Sequence, residues 1–287
     1  MSSNTNTILE DPELFADEQV KVIDVYGTPL RVAIRPGTSD RIPLLIMNGI
    51  GANLELLTPF IEKMDPEIQV IAFDAPGVGG SPTPALPYRM PGLAKLVARM
   101  LDRLGHQQVD VLGVSWGGAL AQQFAKTYPR RCHRLILAGT ATGALMVPGK
   151  PTVLFKMMTP RRYLQPAYMT AIAPRIYGGT LRNDPEAAAK HVREIMGTGI
   201  RGYFWQVFAM WGWTSVHWLH RLTQPTLVLA GRDDPIVPLI NAKFMARQIP
   251  DSILHIFDCG HLFLLTQGEE VAKVVYQFLV KKKYSHA

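Results

Sequence analysis

A serine set between glycines, Gly113-Val114-Ser115-Trp116-Gly117, sits where a β-branched apolar run ends and a helical pattern begins. A serine on such a sharp strand-to-helix turn presents its hydroxyl clear of the backbone, and flanking glycines relieve the crowding the turn creates. The hydroxyl is a weak nucleophile until a base takes its proton, and that base must itself be held in one orientation. Downstream, the run Thr226–Ala230 ends in Gly231-Arg232-Asp233-Asp234-Pro235, and Ile253–Phe257 ends in Asp258-Cys259-Gly260-His261. An acid and then a histidine thus follow the serine, each just past a strand end. The chemistry this predicts is acyl transfer, with Ser115 as nucleophile, His261 as general base and an aspartate orienting the base. Asp233 and Asp234 are both candidates; Asp234 is preferred because it lies further past the strand and directly before a proline. Among the rival histidines, His255 lies within the last strand, His286 lies near the C-terminal end, and the other five precede the acid.

Acyl transfer also needs N–H groups aimed at the carbonyl oxygen as it gains charge. One is expected from the backbone of Trp116, the residue after the nucleophile. The other is expected from the loop Asn48-Gly49-Ile50-Gly51-Ala52-Asn53, with Ile50 supplying the amide. That loop carries neither GK[ST] nor GxGxxG, which argues against phosphate binding. The turn Asp74-Ala75-Pro76-Gly77-Val78-Gly79-Gly80-Ser81 reads as structural packing beside the site, without a catalytic role.

These groups all stand at carboxyl ends of strands, where an open α/β sheet builds its site. Val20–Val25 and Leu30–Ile34 read as an opening hairpin, followed by buried strands at Pro43–Met47, Gln69–Phe73, Val109–Gly113 and Leu135–Ala138. Helical periodicity fills Leu54–Met64, Gly92–Leu104 and Trp116–Thr127, and the alternation resumes after residue 221 with Pro225–Ala230, Leu239–Gln248, Ile253–Phe257 and Glu269–Lys281. The rhythm predicts an α/β fold with a mostly parallel central sheet covered by helices. Residues 141–221 interrupt it after the sixth strand, with no clear strand and with six of the 12 methionines and four of the five tryptophans. They are expected to form a helical cap, between a first core part at 1–140 and a second at 222–287.

Composition narrows the function. The chain is 47% hydrophobic and 18% charged, so its 287 residues can bury a large core unaided. Two cysteines cannot make a disulfide framework or a Cys-rich zinc site, and fit a cytosolic protein. The net charge of +7 is scattered rather than gathered into a stripe, so nucleic acid is not the expected partner, although the charge can aid adsorption to an anionic surface. The polar, acidic first residues do not read as a secretory signal, and no apolar stretch is long enough to cross a bilayer.

Beyond these arguments, NGIG, DxPGxGxS, GVSWGG, GRDDPIVP and DCGH resemble the motifs of α/β-hydrolases. LLIMNGIGANLELL, VIAFDAPGVGGSPTP, GVSWGGALAQQFA, MVPGKP, TPRRYLQP, GWTSVHWLH and HLFLLT are similar to intracellular depolymerases of medium-chain-length poly(3-hydroxyalkanoate). The resemblance spans nearly the whole chain. It implies the α/β-hydrolase fold, hydrolysis of a stored polyester at the surface of cytoplasmic granules, and Ser115, Asp234 and His261 as the triad, with no metal or organic cofactor. Polymer synthases of the same metabolism use a cysteine nucleophile, so Ser115 favours hydrolysis. Asn48 departs from the histidine that many α/β-hydrolases carry before the glycine. Carbon–carbon bond hydrolases and cofactor-free haloperoxidases share the triad and are the rival enzymes. A catalytically silent binding protein is the rival outside catalysis, and the intact triad argues against it.

The segment Tyr203–Trp218 is too apolar around its circumference for one buried stripe, so part of it should line a substrate channel or form an exposed apolar patch. Trp211 and Trp213, with Asn48, are therefore the candidate substrate contacts. Met157 and Met158 would add an adaptable surface.

Overall fold

In a computed structural model, which describes residues 19–159, 165–182 and 199–280, eight strands form one sheet. They are β1 (Val20–Asp24), β2 (Pro29–Arg35), β3 (Leu44–Met47), β4 (Val70–Phe73), β5 (Val109–Val114), β6 (Cys132–Ala138), β7 (Thr226–Gly231) and β8 (Ser252–Phe257). Their order in space is β1-β2-β4-β3-β5-β6-β7-β8. The first two strands form the expected hairpin, and β2 pairs antiparallel with β4. Every pairing from β4 through β8 is parallel. The chain steps outward from β3 to β4, then returns past β3 to β5. Loops leaving β3 and β5 therefore diverge, and a crevice opens at the carboxyl ends of these two strands.

Period-2 side-chain alternation divides the core into two layers. Leu45 and Met47 of β3 point into a cluster with Val97 and Leu101 of helix α2 (Met90–Arg103) and with Leu120 and Phe124 of helix α3 (Trp116–Thr127). Leu44 and Ile46 point the other way, toward Phe60 and Ile61 and toward Val271, Val275 and Phe278 near the C-terminus. Parallel strands covered on both faces have no solvated side, and all residues of β3, β4 and β7 are buried.

The stretch 54–64 is shorter in helix than its periodicity predicts. A 3-10 turn, Leu54–Leu57, leads into a four-residue helix α1 (Thr58–Ile61). Pro59 explains the restart: lacking an N–H, it suits a helix's first turn but not its interior. Between β6 and β7 the described helices are α4 (Pro151–Met158), α5 (Pro166–Tyr177) and α6 (Ile200–Met210). This insertion has its own small core of Val153, Met169, Ile172, Ala173, Ile176, Tyr177 and Leu181. The one β contact of its described residues is an isolated bridge, Gly143 to Thr214. Helix α7 (Leu239–Gln248), a short α8 (Phe263–Thr266) and α9 (Gly268–Val280) complete the order. Among the described residues no helix is long and apolar enough to cross a membrane, and no group of three or more His, Cys, Asp or Glu is arranged to hold a metal ion.

Candidate active site

Ser115 occupies the turn between β5 and α3 with φ 52° and ψ −114°. A non-glycine residue at such angles costs of order 1–3 kcal/mol, so its surroundings must hold it there. They do so through the backbone: its N–H donates to the Ala138 carbonyl at 2.8 Å, and its carbonyl accepts from the Thr140 hydroxyl at 2.7 Å. The flanking glycines are steric necessities, since a Cβ at Gly117 would overlap the Met47 carbonyl and one at Gly113 would strike α3.

His261 follows β8 and is buried, its N–H donating to the Tyr177 carbonyl of the insertion at 2.8 Å. Its Nδ1 lies 2.6 Å from Asp234 Oδ2 and its Nε2 3.2 Å from Ser115 Oγ. In the tautomer protonated on Nδ1, the ring donates to Asp234 and accepts from the serine hydroxyl. Asp234 is fixed from behind, because its Oδ1 accepts from the amides of Ile236 and Val237, both at 2.9 Å. Asp233 faces elsewhere: its Oδ2 pairs with Arg182 at 2.7 Å and accepts from the Gly179 amide. The three residues brought into one hydrogen-bonded line are therefore Ser115, His261 and Asp234.

The loop after β3 lies against the elbow because β3 and β5 are neighbours, with Met47 opposite Gly113. Its Gly49 N–H donates to Asn48 Oδ1 at 2.8 Å, and its Gly51 N–H to Gln206 Oε1 at 2.7 Å. Among the described residues, the backbone amides of Ile50 and Trp116 make no such hydrogen bond. Two donors thus remain available on either side of Ser115.

A pocket over the serine is lined by Asn48, Gly49 and Ile50, by Leu56, Leu57 and Phe60, and by Tyr177, His261, Leu262, Leu264 and Leu265. Its walls are mostly carbon. Asn48 lines this pocket, but both ends of its amide serve its own loop: Nδ2 donates to the Asn53 carbonyl at 2.8 Å, and Oδ1 holds Gly49. Its side chain thus shapes the loop while facing the pocket.

The tryptophans also separate. Trp213 is 8% exposed, donates from Nε1 to Gln123 Oε1 at 2.8 Å and packs edge-on against Trp218 in the core, apart from the pocket walls. Trp211 is 74% exposed, away from the pocket walls, and continues an outward row of Ile200, Phe204, Val207 and Phe208 along α6. One side of the aromatic segment therefore forms an exposed apolar stripe, apart from the described pocket. Met157 and Met158 close α4, but their side chains lie outside the described residues.

Sequence reasoning missed Tyr177, Gln206 and the apolar walls. The wall at 262–265 carried a signal, an apolar run directly after the base. Gln206 carried none, because its partners lie 155 and 90 residues away in the chain. In the Asp74 turn the buried carboxylate accepts from the amides of Leu54 and Gly80 and from Arg31. Burial pushes the carboxyl up to about 6, against the opposing pull of Gly80 and Arg31.

Comparison with known proteins matches the fold. The model of the α/β hydrolase fold matches residues 42–267. A poly(3-hydroxyalkanoate) depolymerase of Ectopseudomonas oleovorans is 59% identical over 263 residues, covering 92% of this chain and 93% of its own. A 3-oxoadipate enol-lactonase of Acinetobacter baylyi is 28% identical over 81% of this chain and 86% of its own. The solved structure of a hydrolase from Pseudomonas aeruginosa PA01 superposes with a TM-score of 0.79 over 93% of this chain and all of that one, at 23% identity. With the family model matched from β3 to beyond the base, and a near-full-length relative at that identity, the chain belongs to the α/β-hydrolase family.

Proposed function

We propose that this protein hydrolyses ester bonds of poly(3-hydroxyalkanoate) through an acyl-enzyme on Ser115. The observation that carries the substrate class is the 59% identity to a poly(3-hydroxyalkanoate) depolymerase over 92% of the chain. At that coverage the match must include most of residues 141–221 as well as the sheet.

The reaction begins as Ser115 Oγ attacks the ester carbonyl while His261 Nε2 accepts its proton. Asp234 keeps the ring in the correct tautomer and stabilises the imidazolium. The amides of Ile50 and Trp116 receive the charge on the carbonyl oxygen, in a pocket whose carbon walls strengthen each interaction. The hydroxyl end of the polymer leaves with the proton from His261. Water, deprotonated by the same nitrogen, then attacks the acyl-serine, and His261 returns that proton to Ser115 Oγ as a 3-hydroxyacid or a short oligomer is released.

Residues 141–221 act as the cap, between core parts at 1–140 and 222–287. The apolar row of Ile200, Phe204, Val207, Phe208 and Trp211 contacts the polymer surface, as water-insoluble granules of medium-side-chain polyester in the cytoplasm require. The test is release of 3-hydroxyacids from an amorphous poly(3-hydroxyoctanoate) suspension, with Ser115→Ala as control. Hydrolysis of soluble p-nitrophenyl esters without any release from polymer would refute the substrate assignment.

A further inference from the structure

Gln206 is 1% exposed on the inner side of α6, the helix whose outer side carries the apolar row. A buried glutamine needs partners, and those of Gln206 are the two segments that flank the nucleophile. Its Oε1 accepts from the Gly51 N–H at 2.7 Å, and its main-chain carbonyl accepts from the Trp116 indole Nε1 at 2.9 Å. Gly51 follows Ile50, and Trp116 follows Ser115. One residue of the insertion thus grips both arms of the oxyanion hole.

The local hydrogen bonding shows what this grip does. The Ile50 N–H belongs to the peptide between residues 49 and 50, whose carbonyl accepts from the Ala52 amide at 3.2 Å. The next peptide, between 50 and 51, is the one fixed by Gln206. Gly51 has φ +70°, so the loop turns sharply at this point and holds a backbone geometry that few residues stabilise unaided. With both peptides anchored, the Ile50 N–H has one direction. On the other arm, the indole bond fixes the Trp116 ring and with it the first turn of α3. Helix α6 can reach this depth because it meets the Asp74 turn glycine to glycine: a Cβ at Gly202 would overlap the Gly77 carbonyl.

We propose that Gln206 is a positioning residue for the oxyanion hole, aiming the Ile50 and Trp116 amides at the developing charge. The inference rests on the hydrolase reading above and adds a residue to it. A neutral acceptor suits the position, because a carboxylate there would oppose the oxyanion. An error of about 1 Å in such donors lowers the rate by up to roughly a hundredfold without weakening ground-state binding.

Two variants test it on a soluble p-nitrophenyl ester. Gln206→Met keeps length and burial but removes the acceptor; Trp116→Phe removes the indole donor. The expected result is KM within about twofold of wild type and kcat lower by about 10- to 100-fold for Gln206→Met, with a smaller loss for Trp116→Phe. Affinity for an aryl trifluoromethyl ketone, whose serine adduct carries an oxyanion, should fall in the same proportion as kcat. Melting curves establish folding, and if Gln206→Met does not fold, Gln206→Glu, which keeps the acceptor's shape but sets a carboxylate against the oxyanion, carries the test through the same loss in kcat and ketone affinity at unchanged KM. Wild-type kcat in a folded variant, or a loss confined to KM, overturns the positioning role. A wild-type protein inert toward both ester and ketone removes the hydrolase reading itself, and the inference with it.

Discussion

Asp234 Oδ2 lies 2.6 Å from Nδ1 of His261, whereas the carboxylate of the adjacent Asp233 turns toward Arg182 at 2.7 Å. Two neighbouring acids therefore have opposite surroundings, one buried beside the imidazole and the other on an exposed ion pair. Asp234→Asn should lower kcat by about 10⁴, because an amide at that position favours the wrong tautomer of the histidine. Asp233→Asn should change kcat less than about fivefold, since an exposed pair contributes little. Steady-state kinetics on a soluble ester rank the two, and the reverse order would move the orienting acid back by one residue.

Ser115→Ala tests the nucleophile with little risk to the fold. The bonds that hold the elbow, to Ala138 and Thr140, use the backbone of Ser115 and survive the change. Alanine inherits the unfavourable φ of 52°, so stability should stay close to that of wild type. The expected loss in kcat is at least about a thousandfold, with no labelling by a fluorophosphonate. A variant that keeps more than a tenth of the esterase activity, or that is still labelled by the fluorophosphonate, would point to another nucleophile.

The sheet and the elbow were legible because their signals are local. Buried parallel strands read as short apolar runs, and glycines on both sides of Ser115 mark a turn that tolerates no Cβ. Strand ends led to His261 and to the pair of acids, although only the fold separates Asp233 from Asp234. The insertion was less legible. Its apolar residues occupy both sides of α6, and periodicity cannot tell which side meets the core. Trp211 and Trp213 are two residues apart and alike in type, yet one is exposed and the other is tied to Gln123 on α3. Gln206 is an ordinary polar residue until α6 docks on the loop after β3.

Asp74 gives the fold a pH-dependent component. Burial raises its carboxyl to about 6, above the ordinary value of about 3.9 that it regains on unfolding. The native state therefore holds the proton more tightly than the unfolded state does. The stabilisation from the protonated form is fully present below about pH 4 and is lost as pH rises through about 6. Two units correspond to at most about 3 kcal/mol. Urea unfolding of wild type and Asp74→Asn at pH 7.5 and pH 4.5 isolates this group, because the other titrations cancel in the difference. Wild type should gain about 1–3 kcal/mol relative to the variant on acidification. A relative loss would mean that Arg31 and the Leu54 and Gly80 amides favour the ionised form more than burial opposes it.

The two tryptophans should respond to truncation in opposite ways. Trp213 is buried against Trp218, and its indole N–H is the partner of Gln123, so Trp213→Ala leaves both a cavity and an unsatisfied buried oxygen. A loss of about 3–5 kcal/mol in unfolding free energy is expected, and activity on all substrates should fall together as the folded population declines. Trp211 is largely exposed, and its ring completes the apolar row on α6. Trp211→Ala should change stability by less than about 0.5 kcal/mol, as surface substitutions usually do. Because the row lies away from the pocket walls, kcat/KM for a short soluble ester should not change. Hydrolysis of suspended poly(3-hydroxyoctanoate), which requires adsorption, should drop several-fold, and sedimentation with the polymer should weaken in parallel. Equal rates on suspended polymer for wild type and Trp211→Ala would remove this end of the row from the contact surface. A stability loss in Trp211→Ala as large as that in Trp213→Ala would mean that its ring packs with the core rather than facing the polymer.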